Sequence, residues 1–271
     1  HGLCRVDTCL SKGVVSTLLA HVNETLKDAR GRVSGDEKQR ERDTVQRAVM
    51  EAQASGQIQI RVAGLWPRLE LWGATARAFA TQTLGFSMAA DAEEVELDSF
   101  GAVLAPIERW DLKLGLSLPV VAALHEILVP LRAVCEEALG PDAVLFECAA
   151  LVADPRAPRQ PLHPDTAYQP TKDGSPAGPL VLTVFVALQD VSESMGPTVF
   201  LPGTHCNAAH VTFNSPPETG AKRNLLANTP RQLGTLRGGD AIIMDSRLLH
   251  CGSANDSESR RVLFYFSFRA N

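Results

Sequence analysis

The second half of the chain is a succession of short segments with strong β propensity. Apolar and β-branched residues dominate five runs, which span residues 144–152, 181–191, 198–201, 241–244 and 262–268. Pro, Gly, Asn and Ser separate these runs, and no helical pattern alternates with them as a parallel sheet would require. Strands this short and this frequent are typical of a sandwich or barrel. The sequence therefore predicts a β core over residues 141–271.

The first half of the chain shows helical periodicity instead. Helices are predicted over residues 67–85 and 119–139, the latter ended by Gly140. We expect one catalytic domain over residues 1–271, mainly β and of the α+β class, in which a mostly helical part over residues 1–140 packs on the β core. The first helix is predicted over residues 11–30, because apolar residues recur there at helical spacing at Val15, Leu18, Leu19, Val22 and Leu26.

Charge and composition narrow the class of protein. The formal net charge is −5 and the pI is about 5.8, so there is no basic field to attract phosphate backbones, and we expect no nucleic-acid partner. Hydrophobic residues make up 45% of the chain and charged residues 21%, which is typical of a soluble globular protein. The charged segment 31–56 is predicted to be a solvated helix or an insertion, and its role stays open.

The longest apolar stretch, residues 116–131, is predicted to be a buried helix rather than a membrane span. Two prolines, a histidine and a glutamate interrupt it, which a helix in a bilayer tolerates poorly. The six cysteines form no CxxC pair and no regular framework, which favours a reducing compartment, while a Cys4–Cys9 bridge stays open. We therefore expect a soluble protein of the cytoplasm or an organelle, and a cleaved targeting segment before His1 is compatible with this.

Two separated segments carry residue types that bind metals. The first contains His163-Pro164-Asp165 and the second contains His250. Positions i and i+2 of a strand face the same side, so His163 and Asp165 can bind one metal ion from neighbouring positions. With His250 they would form the two-histidine, one-carboxylate facial triad of non-haem Fe(II) oxygenases, which leaves three coordination sites for co-substrate and oxygen.

The sequence after His250 strengthens this interpretation, because HxD alone is a weak signal. Residues 239–245 have the pattern of a tight turn that feeds a buried strand, and the basic pair Arg260-Arg261 follows His250. A guanidinium buried in a β-barrel needs an anion, and its planar fork matches a carboxylate. Strand alternation predicts that Arg261, Leu263 and Tyr265 share one face and that Arg260 points the other way.

Residues 160–268, a little under half of the chain, resemble the phytanoyl-CoA dioxygenase family of Fe(II)- and 2-oxoglutarate-dependent dioxygenases. The family pattern runs HxD, a nearby Tyr, a hydrophobic strand with a Leu-x-Asp turn, GPxxFxPGSH, a second His, and an Arg eleven residues later. Five elements in the right order make coincidence a poor explanation. The corresponding segments here are His163-Pro164-Asp165, Tyr168, TVFVALQD from Thr183, GPTVFLPGTH from Gly196, His250, Asn255 and Arg261.

The resemblance implies a double-stranded β-helix, also called a jelly-roll or cupin-like core. It implies that His163, Asp165 and His250 bind Fe(II), that 2-oxoglutarate and O2 are co-substrates, and that Arg261 pairs with the far carboxylate of 2-oxoglutarate. Arg261 is preferred to Arg260 because its offset of eleven residues from His250 matches the family.

Three further residues are candidates for contacts with 2-oxoglutarate. Thr183 alternates with Phe185 and is either a hydrogen-bond donor or an ordinary β-former. Tyr168 either orients a ligand or packs as a tyrosine with a satisfied hydroxyl. Ser253 follows Gly252 where the family often has Ser first, and this departure puts its contact in doubt; Pro164, where Gln is common, leaves the ligands intact.

The activity that the resemblance implies is hydroxylation of an unactivated carbon of a small organic or acyl substrate, with release of succinate and CO2. Asp165 favours hydroxylation over halogenation, because related halogenases lack this carboxylate. Two alternatives are a metal-dependent cupin enzyme that does not use 2-oxoglutarate, against which Arg261 argues, and a catalytically inactive binding or scaffold protein. The sequence indicates neither the substrate nor the oligomeric state.

Overall fold

The computed structural model describes residues 1–32, 60–61, 103–104, 108–174, 176 and 180–270. The helix predicted over residues 67–85 lies outside these residues, and so does the charged segment 31–56 apart from its first two residues. The fold is α+β, with two antiparallel sheets and helices packed on their outer faces. The predicted fold class is confirmed.

The larger sheet contains eight strands of the described residues, all paired antiparallel. Numbered along the chain, these strands are β1 (Leu3–Val6), β2 (Ile60–Arg61), β3 (Val103–Leu104), β4 (Arg109–Lys113), β5 (Val144–Ala153), β6 (Val181–Ala187), β9 (Ala241–Asp245) and β11 (Arg261–Arg269). Their order across the sheet is β1-β9-β6-β11-β5-β4-β3, and β2 pairs with β5.

The smaller sheet lies across the interior from the larger one. It consists of β7 (Thr198–Phe200), β8 (Gln232–Leu233) and β10 (His250–Gly252), in the order β10-β7-β8. Asn255 closes the connection from β10 to β11, where its buried Nδ2 donates to Ala153 O at 3.0 Å and to Ser259 O at 2.8 Å. This turn fixes the path of the chain between His250 and Arg261.

Strand alternation gives the larger sheet two different faces. Leu263 and Tyr265 of β11 belong to the cluster between the two sheets, together with Phe185 and Phe200. The predicted grouping of Leu263 with Tyr265 on one face is therefore confirmed. The residues that alternate with them pack on the opposite side, against the helices: Val262, Phe264, Phe266 and Phe268.

Two helices, α1 (Lys12–Arg32) and α2 (Leu118–Leu139), cover that opposite face. Both agree with the predicted helices over residues 11–30 and 119–139 to within two residues, and Gly140 ends α2 with φ 81°. By length and composition α2 could cross a membrane. Its apolar face, which includes Val120, Leu124 and Ile127, is buried in the same core cluster as α1, so α2 is a core helix as predicted.

Two short helices were not predicted. α3 (Asn207–Phe213) and α4 (Ala221–Asn228) lie between β7 and β8 in the chain. Phe213 and Leu225 from these helices pack with Val199 of the smaller sheet. Amphipathic segments of seven or eight residues give little periodicity to detect, which is why the sequence did not reveal them.

The first half of the chain contributes more strands than predicted. Residues 1–140 were expected to be mostly helical, but β1 pairs with β9 and the five residues of β4 pair with β5. The N-terminal part therefore helps to build the larger sheet as well as packing on it. All six cysteines lie in the described residues as free thiols, so Cys4 and Cys9 are not bridged.

Candidate active site

A β-bridge between His163 and His250 brings the candidate metal ligands together. The amide of His163 donates to the His250 carbonyl at 3.0 Å, and the amide of His250 donates back at 2.9 Å. Asp165 lies two residues further on in a bend, where its amide donates to Ser246 O at 2.9 Å. The strand expected to carry both ligands is therefore reduced to the bridge at His163, and Asp165 reaches the imidazoles from the bend.

The three side chains form a group that can hold a metal ion. Their ligand atoms all lie within 4.8 Å of one another. Asp165 Oδ1 is 3.4 Å from His250 Nε2 and 3.8 Å from His163 Nε2. Adjacent ligands of an octahedral ion with bonds of about 2.1 Å lie about 3 Å apart. The group therefore fits one face of an octahedron after a small inward movement of the side chains.

Backbone carbonyls orient both imidazoles for metal binding. His163 Nδ1 lies 2.7 Å from Pro161 O, and His250 Nδ1 lies 2.9 Å from Leu248 O. A carbonyl can only accept, so each Nδ1 carries a proton and each Nε2 directs its lone pair toward Asp165. Burial lowers the pKa of His250, but the Asp165 carboxylate outweighs burial and the net shift is upward. The protonated form of the His250 imidazole is therefore stabilised by its contact with Asp165.

Arg261 is a buried cation with an incomplete set of partners. Arg261 is the first residue of β11 and is 2% exposed. One Nη donates to Gly196 O, while Nε has no hydrogen-bond partner. Burial, followed by the charge of Arg109, lowers the pKa of Arg261 to about 9. A buried guanidinium without an anion is unfavourable, so this position fits the carboxylate of a ligand.

Arg109 is a second buried guanidinium, which no pattern in the sequence predicted. It lies on β4 and Arg261 lies on β11, and both pair with Ala153 of the intervening strand β5. Residues of one cross-strand row share a face, so the two arginines project on the same side. Arg109 also donates to Pro158 O at 2.7 Å and to Ser253 O. Within the described part of the chain, neither arginine forms an ion pair with a carboxylate.

One cavity of about 370 Å³ is lined by the three metal-ligand candidates together with Arg261 and Thr183. Thr183 is 2% exposed, and its hydroxyl lies 3.1 Å from Ser267 Oγ. Phe185 forms part of the wall, with its ring centroid 6.3 Å from that of His250. The structure thus places Thr183 and Arg261 at the cavity, and their contacts with a co-substrate stay predictions.

Tyr168 and Ser253 are not among the described residues that line this cavity. The Tyr168 hydroxyl donates to Gly174 O at 3.1 Å, and its ring centroid lies 6.0 Å from that of His210. Ser253 accepts a hydrogen bond from Arg109 through its carbonyl oxygen. The predicted contacts of both side chains with 2-oxoglutarate are untested and stay predictions.

The sequence profile of one protein family matches this chain. The profile describes phytanoyl-CoA dioxygenase (PhyH) and matches residues 103–263, which is more than half of the chain. The chain belongs to the phytanoyl-CoA dioxygenase family. The resemblance inferred from the motifs is confirmed. As a member of this family, with a His-Asp-His group in its cavity, the protein is an oxygenase whose cofactors are iron and 2-oxoglutarate.

Solved structures share the fold of this phytanoyl-CoA dioxygenase family member. AviO1 from Streptomyces viridochromogenes Tue57 is 14% identical, with a TM-score of 0.56 over 99% of this chain and 89% of that chain. HygX from Streptomyces hygroscopicus, with nickel and 2-oxoglutarate bound, is 13% identical, with a TM-score of 0.51 over 100% of this chain and 83% of that chain. No curated protein matches the sequence.

Proposed function

We propose that this phytanoyl-CoA dioxygenase family member is a hydroxylase. It uses Fe(II), 2-oxoglutarate and O2 to hydroxylate an unactivated carbon of a small molecule, and it releases succinate and CO2. His163, Asp165 and His250 hold the iron, Arg261 binds the far carboxylate of 2-oxoglutarate, and residues 1–271 act as one catalytic domain. The observation that carries the proposal is the unpartnered Nε of the buried Arg261, in the same cavity as the three metal-ligand candidates.

The charge of 2-oxoglutarate complements both parts of this cavity. Its keto acid end presents oxygen ligands to a metal ion held by the triad. Its other carboxylate makes charge-assisted hydrogen bonds with the planar fork of Arg261, and the neighbouring charge of Arg109 adds to the attraction. Both guanidiniums are already buried in the protein, so their desolvation is complete before the co-substrate binds, and the bound carboxylate compensates for it.

Once bound, iron and 2-oxoglutarate supply the oxidative decarboxylation that activates O2 for attack on a substrate C–H bond. The residues of the chain hold the reactants in place. Backbone carbonyls keep His163 and His250 in the metal-binding tautomer. Asp165 places a carboxylate at the coordination position that a halide takes in related halogenases, which favours hydroxylation over halogenation. Phe185 and Leu151 line the cavity and limit the access of water.

Two alternatives receive less support. A metal-dependent cupin enzyme that does not use 2-oxoglutarate has no need for the unpartnered guanidinium of Arg261. An inactive scaffold has no need for two imidazoles whose Nε2 atoms both lie within 4 Å of one carboxylate oxygen. The buried guanidinium is unfavourable for the fold unless the anion of a ligand pairs with it.

The first test compares two adjacent arginines. Under anaerobic conditions, Fe(II) and 2-oxoglutarate are added to the wild type, Arg261→Ala and Arg260→Ala, and the weak visible metal-to-ligand charge-transfer band is titrated. Arg260 is the matched control because it faces the helices, with Nε 2.6 Å from Asp154 Oδ1 and one Nη 3.0 Å from Asn23 Oδ1. We expect Arg261→Ala to weaken 2-oxoglutarate binding about 100-fold, since a buried charged hydrogen-bond partner is removed, and Arg260→Ala to bind normally.

Equal affinities in the two variants would refute the assignment of Arg261, and a wild type that binds no iron would favour the scaffold. The hydroxylase itself is tested by product mass. A hydroxylated product gains one oxygen atom derived from O2, whereas an isomerised or cyclised product gains none. A product without new oxygen would keep the cofactor assignment and refute the proposed reaction.

A further inference from the structure

A second group of polar side chains lines the same cavity. Asp111, Glu147 and Tyr265 come from the neighbouring strands β4, β5 and β11, whose inward faces are brought into register by antiparallel pairing. Lys113 joins them from β4. We call these four residues the polar wall. Of these residues, only Tyr265 could be assigned to a face from the sequence, because the other three lie outside every family motif.

The polar wall is a connected hydrogen-bond network. Lys113 Nζ lies 2.7 Å from Glu147 Oε1, 3.1 Å from Asp111 Oδ2 and 2.8 Å from the Tyr265 hydroxyl. The Tyr265 hydroxyl lies 3.0 Å from Asp111 Oδ1 and 2.9 Å from Glu147 Oε1. Every named group is therefore held in place by at least two others. Such a network keeps one geometry whether or not a ligand is present.

The carboxylates of the polar wall face the cavity as well as the network. Both Asp111 and Glu147 line the cavity, and 23% of the Asp111 side chain is exposed. Each carboxylate oxygen can accept two hydrogen bonds. Glu147 Oε1 already has Lys113 and Tyr265 as partners and Glu147 Oε2 accepts from Ser267 Oγ at 3.2 Å, so the room for a ligand donor lies mainly on Asp111, whose two oxygens contact Tyr265 and Lys113. A ligand that covers these oxygens with apolar surface removes their water without replacing it, which is unfavourable. A ligand that brings N–H or O–H groups replaces the lost water.

The polar wall lies close to the metal-ligand group. The Phe185 ring stands between them, with its centroid 5.9 Å from that of Tyr265 and 6.3 Å from that of His250. Arg261, which is 2% exposed and whose Nε has no hydrogen-bond partner, lines the same cavity. One small molecule can therefore contact the polar wall while one of its carbons lies beside the metal site.

We propose that Asp111, Glu147 and Tyr265 form a substrate subsite that binds the hydroxyl or ammonium groups of a small polar molecule. The subsite rests on the proposed function, because it orients the substrate carbon toward the iron of the same cavity. Lys113 is a positioning residue that holds both carboxylates. The substrate is thus a donor-bearing molecule such as an amino alcohol or polyol, and an acyl chain is disfavoured at this wall.

Shape-matched probes test the subsite without knowledge of the substrate. Cyclohexylammonium, cyclohexanol and methylcyclohexane have nearly the same size and differ in one polar group. Their binding to the full chain loaded with diamagnetic Zn(II) and 2-oxoglutarate is measured by ligand-observed NMR. We expect the ammonium or hydroxyl probe to bind at least tenfold more tightly than methylcyclohexane, and the order of those two shows which donor the subsite prefers. Equal or tighter binding of methylcyclohexane, or no binding of either polar probe, would overturn the proposal.

Isosteric variants assign the preference to the polar wall. Asp111→Asn and Glu147→Gln should each reduce it about tenfold, because a charged acceptor becomes a neutral one. Asp240→Asn is the matched control, since Asp240 is buried and bonded to Arg5 at 2.7 Å but does not line the cavity. Tyr265→Phe keeps the ring, removes only the hydroxyl, and provides the same test if a carboxylate variant does not fold. A preference that survives in all folded variants would refute the subsite.

The failure of the subsite and the failure of the proposed function can be separated. The anaerobic charge-transfer band reports on iron and 2-oxoglutarate, and the polar-wall variants should keep it. Arg261→Ala should form the band only at a much higher concentration of 2-oxoglutarate and should keep the probe preference. In the wild type, the absence of the band together with an intact preference would count against the co-substrate assignment, whereas the band without a preference would count against the subsite alone.

Discussion

Gly196 links a motif of the sequence to the predicted binding residue. Its carbonyl accepts a hydrogen bond from Arg261, and its φ of +70° lies in the left-handed region. A Cβ at this position would lie 2.5 Å from the carbonyl oxygens of Ser253 and Ala254. Any side chain must therefore displace the segment that follows β10, and with it the partner of Arg109.

The substitution Gly196→Ala should therefore damage stability and binding together. We expect a loss of stability clearly greater than the roughly 1 kcal/mol due to left-handed strain alone, and weaker binding of 2-oxoglutarate. Gly203→Ala is the control, because Gly203 has φ +85° and no atom within 4 Å of the added Cβ. Urea denaturation and the anaerobic titration measure the two effects. Similar losses in both variants would show that the clash is unimportant.

At the scale of residues, the sequence reveals a site only where the chain keeps a recognisable spacing. His163, Asp165, His250 and Arg261 were predicted because their spacing is a family pattern. Arg109 has no such signal, since its place beside Arg261 arises only when β4 and β11 pair with opposite edges of β5. The polar partners of a site that come from a distant strand need the sheet register before they can be predicted.

The element scale is illustrated by Asp154, which follows β5 and connects three parts of the fold. It accepts hydrogen bonds from Arg30 of α1, from Trp110 Nε1 of β4 at 2.8 Å and from Arg260 at 2.6 Å. Burial alone would raise the pKa of Asp154, but these donors outweigh burial and lower it. This carboxylate therefore fastens the first helix to the larger sheet.

The lowered pKa predicts a pH-dependent loss of stability in Asp154→Asn. A carboxylate whose pKa is lower in the folded state contributes fully above its unfolded pKa of about 3.9, and this contribution is lost as the pH falls through the folded value. We expect the variant to be about 3 kcal/mol less stable than the wild type near pH 7, with a smaller difference below about pH 4.

Thermal unfolding across this pH range measures the difference, and Asp7→Asn is the control. Asp7 forms an exposed ion pair with Arg5, with 70% of its side chain accessible, so its loss should cost under about 1 kcal/mol. A constant deficit of Asp154→Asn at all pH values would contradict the ionic explanation.

The strand β4 shows why some elements escape prediction from sequence. Trp110 and Leu112 face the helices and are apolar, as a half-buried strand requires. The alternate positions Arg109, Asp111 and Lys113 are charged because they face the interior, where the candidate site lies. The inward face of β4 therefore carries charged residues where a buried strand usually carries apolar ones. Because of these charged residues, the sequence of β4 does not resemble that of a buried strand. The helices α1 and α2 contribute no residues to the lining of the cavity, and both were predicted correctly.

At the scale of the whole molecule, ligand binding should stabilise the fold. Any ligand that binds only the native state adds stability, by about 2.7 kcal/mol at a concentration one hundred times its Kd. We expect the melting temperature to rise with Zn(II) and to rise further with 2-oxoglutarate. Arg261→Ala should keep the first increase and lose most of the second, whereas His250→Ala should lose both. A second increase of full size in Arg261→Ala, measured by calorimetry, would contradict the assigned binding mode.

The sequence predicted the class of the fold but not its strand order. Short β runs indicate a sandwich or barrel, and the motifs indicate a jelly-roll, yet four strands that precede residue 140, β1 to β4, add to a sheet whose other four strands follow it. Such long-range pairing depends on tertiary contacts rather than on local propensity.

The three metal-ligand candidates differ in their access to solvent. The His250 side chain is 6% exposed, whereas His163 is 39% and Asp165 is 38% exposed. One ligand is therefore anchored in the interior and two stand at an open rim, so an ion can enter or leave while both sheets stay intact. We therefore expect iron to bind after the chain has folded. The fraction of active enzyme should then depend on the concentration of exchangeable iron around it.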